Sequence, residues 1–128
     1  MLKAATALIC FAAMTSLATT LAPAAAAQDA RPHAESCAVV GYLQPFNFNI
    51  GAVNTCAESI EVWILTADGN ARSGRIAHDQ SYDSGVPREQ GEQGWVWAAC
   101  PAGYQPSVSV TEQNRDAIEA SHYQCVRR

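Results

Sequence analysis

Lysine is nearly missing from this 128-residue sequence: Lys3 is the only one, and the seven arginines beyond it are scattered. Twelve acidic residues oppose them, so the segment 28–128 carries a net charge of −5. Nucleic acid and anionic membrane surfaces both need a concentrated basic patch, and neither is expected as a partner. The one adjacent basic pair, Arg127-Arg128, reads as a solvated tail. Cys-x-x-Cys is also missing, which leaves nothing to seed a zinc site. There is no glycine-rich phosphate loop, no alternating Asp/Asn calcium loop and no nucleophile elbow around a serine. No cofactor and no metal is therefore expected. Internal repeats and coiled-coil heptads are lacking too.

What is present starts with the three parts of an export signal. Lys3 is the charged start, Ala4 to Leu21 is apolar, and Ala24 to Ala27 after Pro23 is a small-residue cleavage tract. The apolar run is mostly Ala and Thr rather than Leu and Ile, which favours a cleaved signal at residues 1–27 over a membrane anchor. Cys10 leaves with it. The expected destination is the periplasm or the extracellular medium. The remaining 101 residues are the size of one domain. Residues 28–36 (QDARPHAES) are polar and aperiodic, a flexible lead-in to a single domain at 37–128.

Four cysteines remain in that exported portion, Cys37, Cys56, Cys100 and Cys125, at spacings of 19, 44 and 25. An even number outside the reducing cytosol implies two disulfides. Three connectivities are possible; pairing of neighbours, Cys37 with Cys56 and Cys100 with Cys125, is the expected one. Each bridge would contribute about 3 kcal/mol by restricting the unfolded chain.

The recurrent pattern has period two, the mark of strands. Phe46, Phe48, Ile50 and Ala52 alternate with polar or small residues toward Asn54-Thr55-Cys56. In Ser59 to Thr66 (SIEVWILT) one face carries Ile60, Val62 and Ile64, and the other carries Trp63 and Leu65 beside Glu61. A strand covered on both faces, hence a central one, is expected there. Asp68-Gly69 supplies a hairpin turn, so Ala71 to His78 should return antiparallel. Asp79 to Gln93 is polar and reads as a long surface loop, with a short strand around Gln80 to Ser84 at most. Gly94 to Cys100 (GWVWAAC) puts Trp95, Trp97 and Ala99 on one face. Pro106 to Val110 and His122 to Val126 are further strands, and Thr111 to Ser121 has the makings of a short helix capped by Thr111. The expected class is all-β: a small disulfide-bonded antiparallel sandwich or barrel of about five to seven strands with at most one short helix.

Candidate chemistry is sparse. His33 lies in the lead-in and His122 on a final strand. His78 is followed by Asp79, Ser81, Tyr82 and Asp83, but on one strand His78 and Asp79 would face opposite ways, which disfavours a Ser-His-Asp arrangement. Aromatic residues are the stronger candidates for binding: Trp95 and Trp97 on one strand face, with Trp63, Tyr82 and Tyr104. Exposed, the pair would form a stacking platform for sugar rings or an anchor for a protein; buried, it would fill the core. The expected function is binding of a protein or glycan partner, no catalytic residue being assigned. Two rivals remain, an inhibitor that inserts the 79–93 loop into a hydrolase and a small secreted hydrolase using His78 or His122.

Overall fold

The computed structural model describes residues 29–128; the expected export signal at residues 1–27 lies outside the described residues. All strand pairing is antiparallel. Strands β1 (Ala38–Tyr42), β2 (Ile50–Asn54) and β5 (Ser81–Val86) form one sheet in the order β1-β2-β5. Strands β3 (Ile60–Thr66), β4 (Ala71–Ile76) and β6 (Trp95–Pro101) form a second, in the order β4-β3-β6. The three-residue strands β7 (Tyr104–Pro106) and β8 (Cys125–Arg127) pair with each other. Among the described residues helix is confined to single turns, α1 (Arg88–Gly91), α2 (Arg115–Glu119) and three 3-10 turns. The chain is thus the small disulfide-bonded all-β domain that its period-two patterning implies.

The middle strand β3 sets the layering. Ile60, Val62 and Ile64 point into a core shared with Ile50 and Ala52 of β2, Ile76 of β4, Val86 of β5 and Ala99 of β6. From the other face Leu65 joins Val96, Ala98, Cys100, Ile118, Tyr123 and Cys125 in a second core. One side of the β4-β3-β6 sheet is therefore covered by the first sheet, the other by α2 and the β7-β8 ribbon. Each Ile or Leu so buried contributes about 2 kcal/mol of transfer free energy. β-branched side chains, already restricted at χ1, lose little entropy in doing so.

Both disulfides pair neighbours. Cys37–Cys56 closes the open end of the β1–β2 hairpin with Cα atoms 5.2 Å apart, and Cys100–Cys125 ties β6 to β8 across the second core at 5.6 Å. The Asp68-Gly69 hairpin forms with Gly69 at φ 83°, and the Asp68 carboxylate accepts from Thr66 Oγ1 and from the Asn70 backbone and side-chain amides. Those hydrogen bonds hold the Asp68 carboxyl below its usual range.

Five expectations need correction. The strand expected at Pro106 to Val110 does not form, since β7 ends at Pro106, and the closing strand is only Cys125–Arg127, which leaves His122 outside it. The series Phe46 to Ala52 is not one strand: Gln44–Phe46 is a 3-10 turn, Asn47 and Phe48 are left-handed at φ 54° and 63°, and Phe48 is 46% exposed. The alternation there belongs to the hairpin loop between β1, an unforeseen strand, and β2. The 79–93 segment is not a loop either. It holds the six-residue β5 paired with β2, then α1. Its inward positions are Tyr82, Ser84 and Val86, and the buried Ser84 hydroxyl donates to Ile50 O at 2.5 Å, so a polar residue fills a slot that sequence reading reserves for apolar ones. The lead-in is docked: Arg31 exchanges two backbone hydrogen bonds with Cys125, Ala34 N–H donates to Ala99 O, and Ala34 is buried. Nor is the C-terminal pair a solvated tail. Arg128 lies 2.6 Å from the buried Glu61 carboxylate and over the Trp63 ring, while Arg127 covers Tyr104.

Asn54 joins the two sheets at one end of the sandwich. Fully buried, its amide donates to Glu58 O and Ile76 O at 2.8 and 3.0 Å and its carbonyl oxygen accepts from Cys56 N–H at 2.9 Å. Asn54→Asp, nearly isosteric, would set a carboxylate oxygen against those two carbonyls; a loss of about 3 kcal/mol in unfolding free energy is expected by urea titration at neutral pH. Replacing Cys100 and Cys125 together by alanine should cost about 3 kcal/mol in the same assay, and an unchanged midpoint would contradict the stapling role assigned to that bridge.

Candidate functional site

A cleft of about 170 Å³ lies along the outer edge of β6, floored by Trp95, Val96 and Trp97 and walled by Glu35, Ile118, Glu119 and Ser121. Its floor arises because β6 ends the β4-β3-β6 sheet, leaving one long side without a neighbouring strand. One wall is the 3-10 turn Glu35–Cys37. The opposite wall is α2, whose Ile118 is buried in the second core and whose Arg115 donates to Thr66 O at 2.7 Å. Arg115 also pairs with Glu112, an ion pair that holds the Glu112 carboxyl below its ordinary value.

Behind the cleft sits a polar cluster that no sequence pattern announced. The Glu35 carboxylate accepts from the Ser121 hydroxyl and from the Tyr123 phenol, both at 2.5 Å, and the phenol oxygen accepts from Ala99 N–H at 2.9 Å. Ser121 reaches this position through a left-handed backbone at φ 58°. The His33 ring lies 5.4 Å from that of Tyr123, and its buried Nδ1, without a hydrogen-bond partner, is 4.0 Å from Glu35. Glu35, Ser121 and Tyr123 are 86 and 88 residues apart in sequence, a separation at which single-sequence reading has no signal. The expectation that His33 is outside the fold fails with the docking of the lead-in.

The five aromatic residues singled out by sequence fall in four places. Trp95 and Trp97 alone share a site. Both are half-buried with one flank against the first core and another on the cleft. Trp95 is pinned, its Nε1–H donating to the Tyr42 hydroxyl at 3.3 Å with the two rings edge to face; among the described residues no side-chain hydrogen bond holds Trp97. Trp63 lies on the opposite face of the sheet, lining a second cleft of about 340 Å³ made largely by residues 105–110, and is covered by Arg128. Tyr82 packs over Gly74, where any Cβ would come within 2.3 Å of its ring, and burial pushes its phenol up. Tyr104 lies between Arg31 and Arg127.

The histidine candidates are placed as follows. His78 and Asp79 do meet, Nε2 to Oδ2 at 3.0 Å, because they occupy the turn between β4 and β5 with Asp79 at φ 57° rather than one strand. The other ring nitrogen is engaged with Cys56 O at 2.8 Å, so both nitrogens are committed, and Ser81 bonds to neither residue. His122 is exposed after α2. No protein-family model, curated protein or solved structure matches this chain.

Burial first, and then the hydrogen bond that the phenol donates to Glu35, push Tyr123 well above its ordinary 10.0, the Ala99 N–H opposing them. The folded state thus prefers the neutral phenol, so its contribution is complete below about pH 10 and is lost as pH rises beyond that. Unfolding free energy measured from pH 8 to 11.5 should fall above pH 10 and fall less steeply in Tyr123→Phe. At neutral pH that variant, which strands Glu35 and Ala99 N–H, should be about 2 kcal/mol less stable.

Proposed function

We propose that this chain is an exported binding domain that recognises a protein or glycan partner at the β6 cleft. The observation that carries the reading is the placement of Trp95 and Trp97: the rings are supported by the core on one flank and lie open on the other, between two carboxylates and a hydroxyl. Rigid, half-exposed indoles offer large contact area at low entropic cost, and nearby polar groups supply orientation. The two disulfides support a location in an oxidising compartment, the periplasm or the medium.

Of the other readings, inhibition through an inserted 79–93 loop loses its physical basis, because that segment is a paired strand and a helical turn. A hydrolase centred on His78 has little support, since the ring's two nitrogens are occupied by Asp79 and a backbone carbonyl and no nucleophile accompanies them.

Titration with defined oligosaccharides and with candidate partner proteins, followed by tryptophan emission, tests the reading. A true ligand should shift the emission, bind at least tenfold more weakly to Trp97→Ala, and bind undiminished to Trp63→Phe, whose ring lies on the far face. Equal weakening by both substitutions would count against the β6 cleft.

A further inference from the structure

The outer edge of β6 carries backbone groups that the fold leaves unused. Ala99 turns both its N–H and its C=O away from β3, to the Tyr123 hydroxyl and the Ala34 N–H respectively. Backbone direction repeats every second residue in a strand, so Trp97 and Trp95 present their N–H and C=O groups the same way, into the cleft. Among the described residues nothing pairs with those four groups. The docked lead-in occupies the Ala99 end of the edge and then turns off into β1 at Ala38. What remains is an unoccupied length of strand edge with aromatic side chains flanking it.

We propose that this edge captures an extended, basic peptide segment of another protein by strand addition, its backbone pairing with Trp95 and Trp97 and its Lys or Arg side chains meeting Glu35 and Glu119. The inference rests on the binding reading above and names its partner. Strand addition suits the site because main-chain pairing supplies affinity without sequence demands, while flanking side-chain pockets supply selectivity. The charge follows from the walls: two carboxylates line the cleft and no basic residue does. Glu35 is held by two hydroxyl donors, and among the described residues no arginine pairs with it; the His33 ring nitrogen lies 4.0 Å away. A second copy of this chain is a poor occupant, since pairing two such edges would bring like charges together. An acidic peptide fails for the same reason.

The purified protein, labelled with nitrogen-15, is titrated with an end-blocked eight-residue peptide of alternating lysine and valine. Its glutamate–valine counterpart, a lysine–valine peptide N-methylated at alternate amides, and chito- and cello-oligosaccharides are titrated in parallel. Strand addition predicts that the basic peptide shifts the Trp95 and Trp97 amide resonances and slows their hydrogen exchange at least tenfold. It also predicts no binding of the acidic peptide and at least tenfold weaker binding of the N-methylated one. Glu119→Gln, an exposed change that leaves the Glu35 cluster intact, should weaken the basic peptide about fivefold, and so should raising salt from 50 to 500 mM. Undisturbed Trp95 and Trp97 amides, or equal binding of the acidic or N-methylated peptide, overturn the inference. If only an oligosaccharide binds at the cleft, the peptide inference falls while the binding reading survives; if nothing in this set or among candidate proteins binds there, both fall.

Discussion

A strand that is apolar on both faces obliges a short chain to provide cover twice. Strand β3, with Ile60, Val62 and Ile64 on one side and Leu65 with Trp63 on the other, imposes that demand, and the other layers answer to it. On the first side a three-stranded sheet is available, large enough to bring its own apolar row. The second side has only a three-residue ribbon and one helical turn, which bury little surface of their own. Such a layer is marginal without fixation, because about a hundred residues leave a small excess of burial over chain entropy. Fixation comes from the Cys100–Cys125 bridge, from the Arg31–Cys125 backbone pair and from Arg128 on Glu61. Glu61 itself is a product of the same demand. It is a buried charge on a two-faced strand, tolerable only because a cation from the opposite end of the chain reaches it.

That arrangement bears on the site proposed at β6, one of the edge strands of the two sheets. β6 borders β3 and shares its two-faced burial, so apart from the half-open Trp95 and Trp97 its side chains are committed to core. Its free edge and the open flanks of those two rings are where it can meet a ligand. The lead-in covers only the Ala99 part of that edge, since it must leave to begin β1. Helix α2, held by Arg115 and Ile118, stands opposite and turns the remaining edge into a cleft rather than a flat rim.

The parts of this fold legible in the sequence are those in which local pattern and tertiary need agree. SIEVWILT announces a central strand because both faces are visibly apolar; Asp68-Gly69 announces its turn; and GWVWAAC announces β6, whereas the neighbour pairing of the cysteines is one of three open connectivities that sequence alone does not choose among. Illegible parts are those in which a contact from far along the chain overrides the local signal. Ser81 to Val86 has a serine where a core residue belongs, and the slot is acceptable only because Ile50 offers a carbonyl. Phe46 and Phe48 alternate like strand residues, yet Pro45 and two left-handed positions place them in a loop. The segment 29–36 looks solvated because most of its partners, Cys125, Ala99, Ser121 and Tyr123, lie more than sixty residues away, and even Glu58, which pairs with Arg31, is 27 residues on. Of the candidate site, the two tryptophans were readable and their acidic surroundings were not.

An unpaired edge carries a hazard as well as an opportunity. Natural sheets blunt exposed edges with charge, bulges or coverings so that copies of the chain do not add to one another. Here the covering is partial, and the charge at the open part comes from the walls rather than from β6, whose composition is wholly apolar between Trp95 and Pro101. Carboxylates placed so do two things with one sign. They repel the same edge of a second molecule, which bears identical charges, and they lower the cost of admitting a strand that brings cations. With a chain that has twelve acids and no lysine beyond residue 3, the discrimination between self and partner needs no further device. A negatively walled edge on an acidic protein is at once protected against its own kind and open to the opposite.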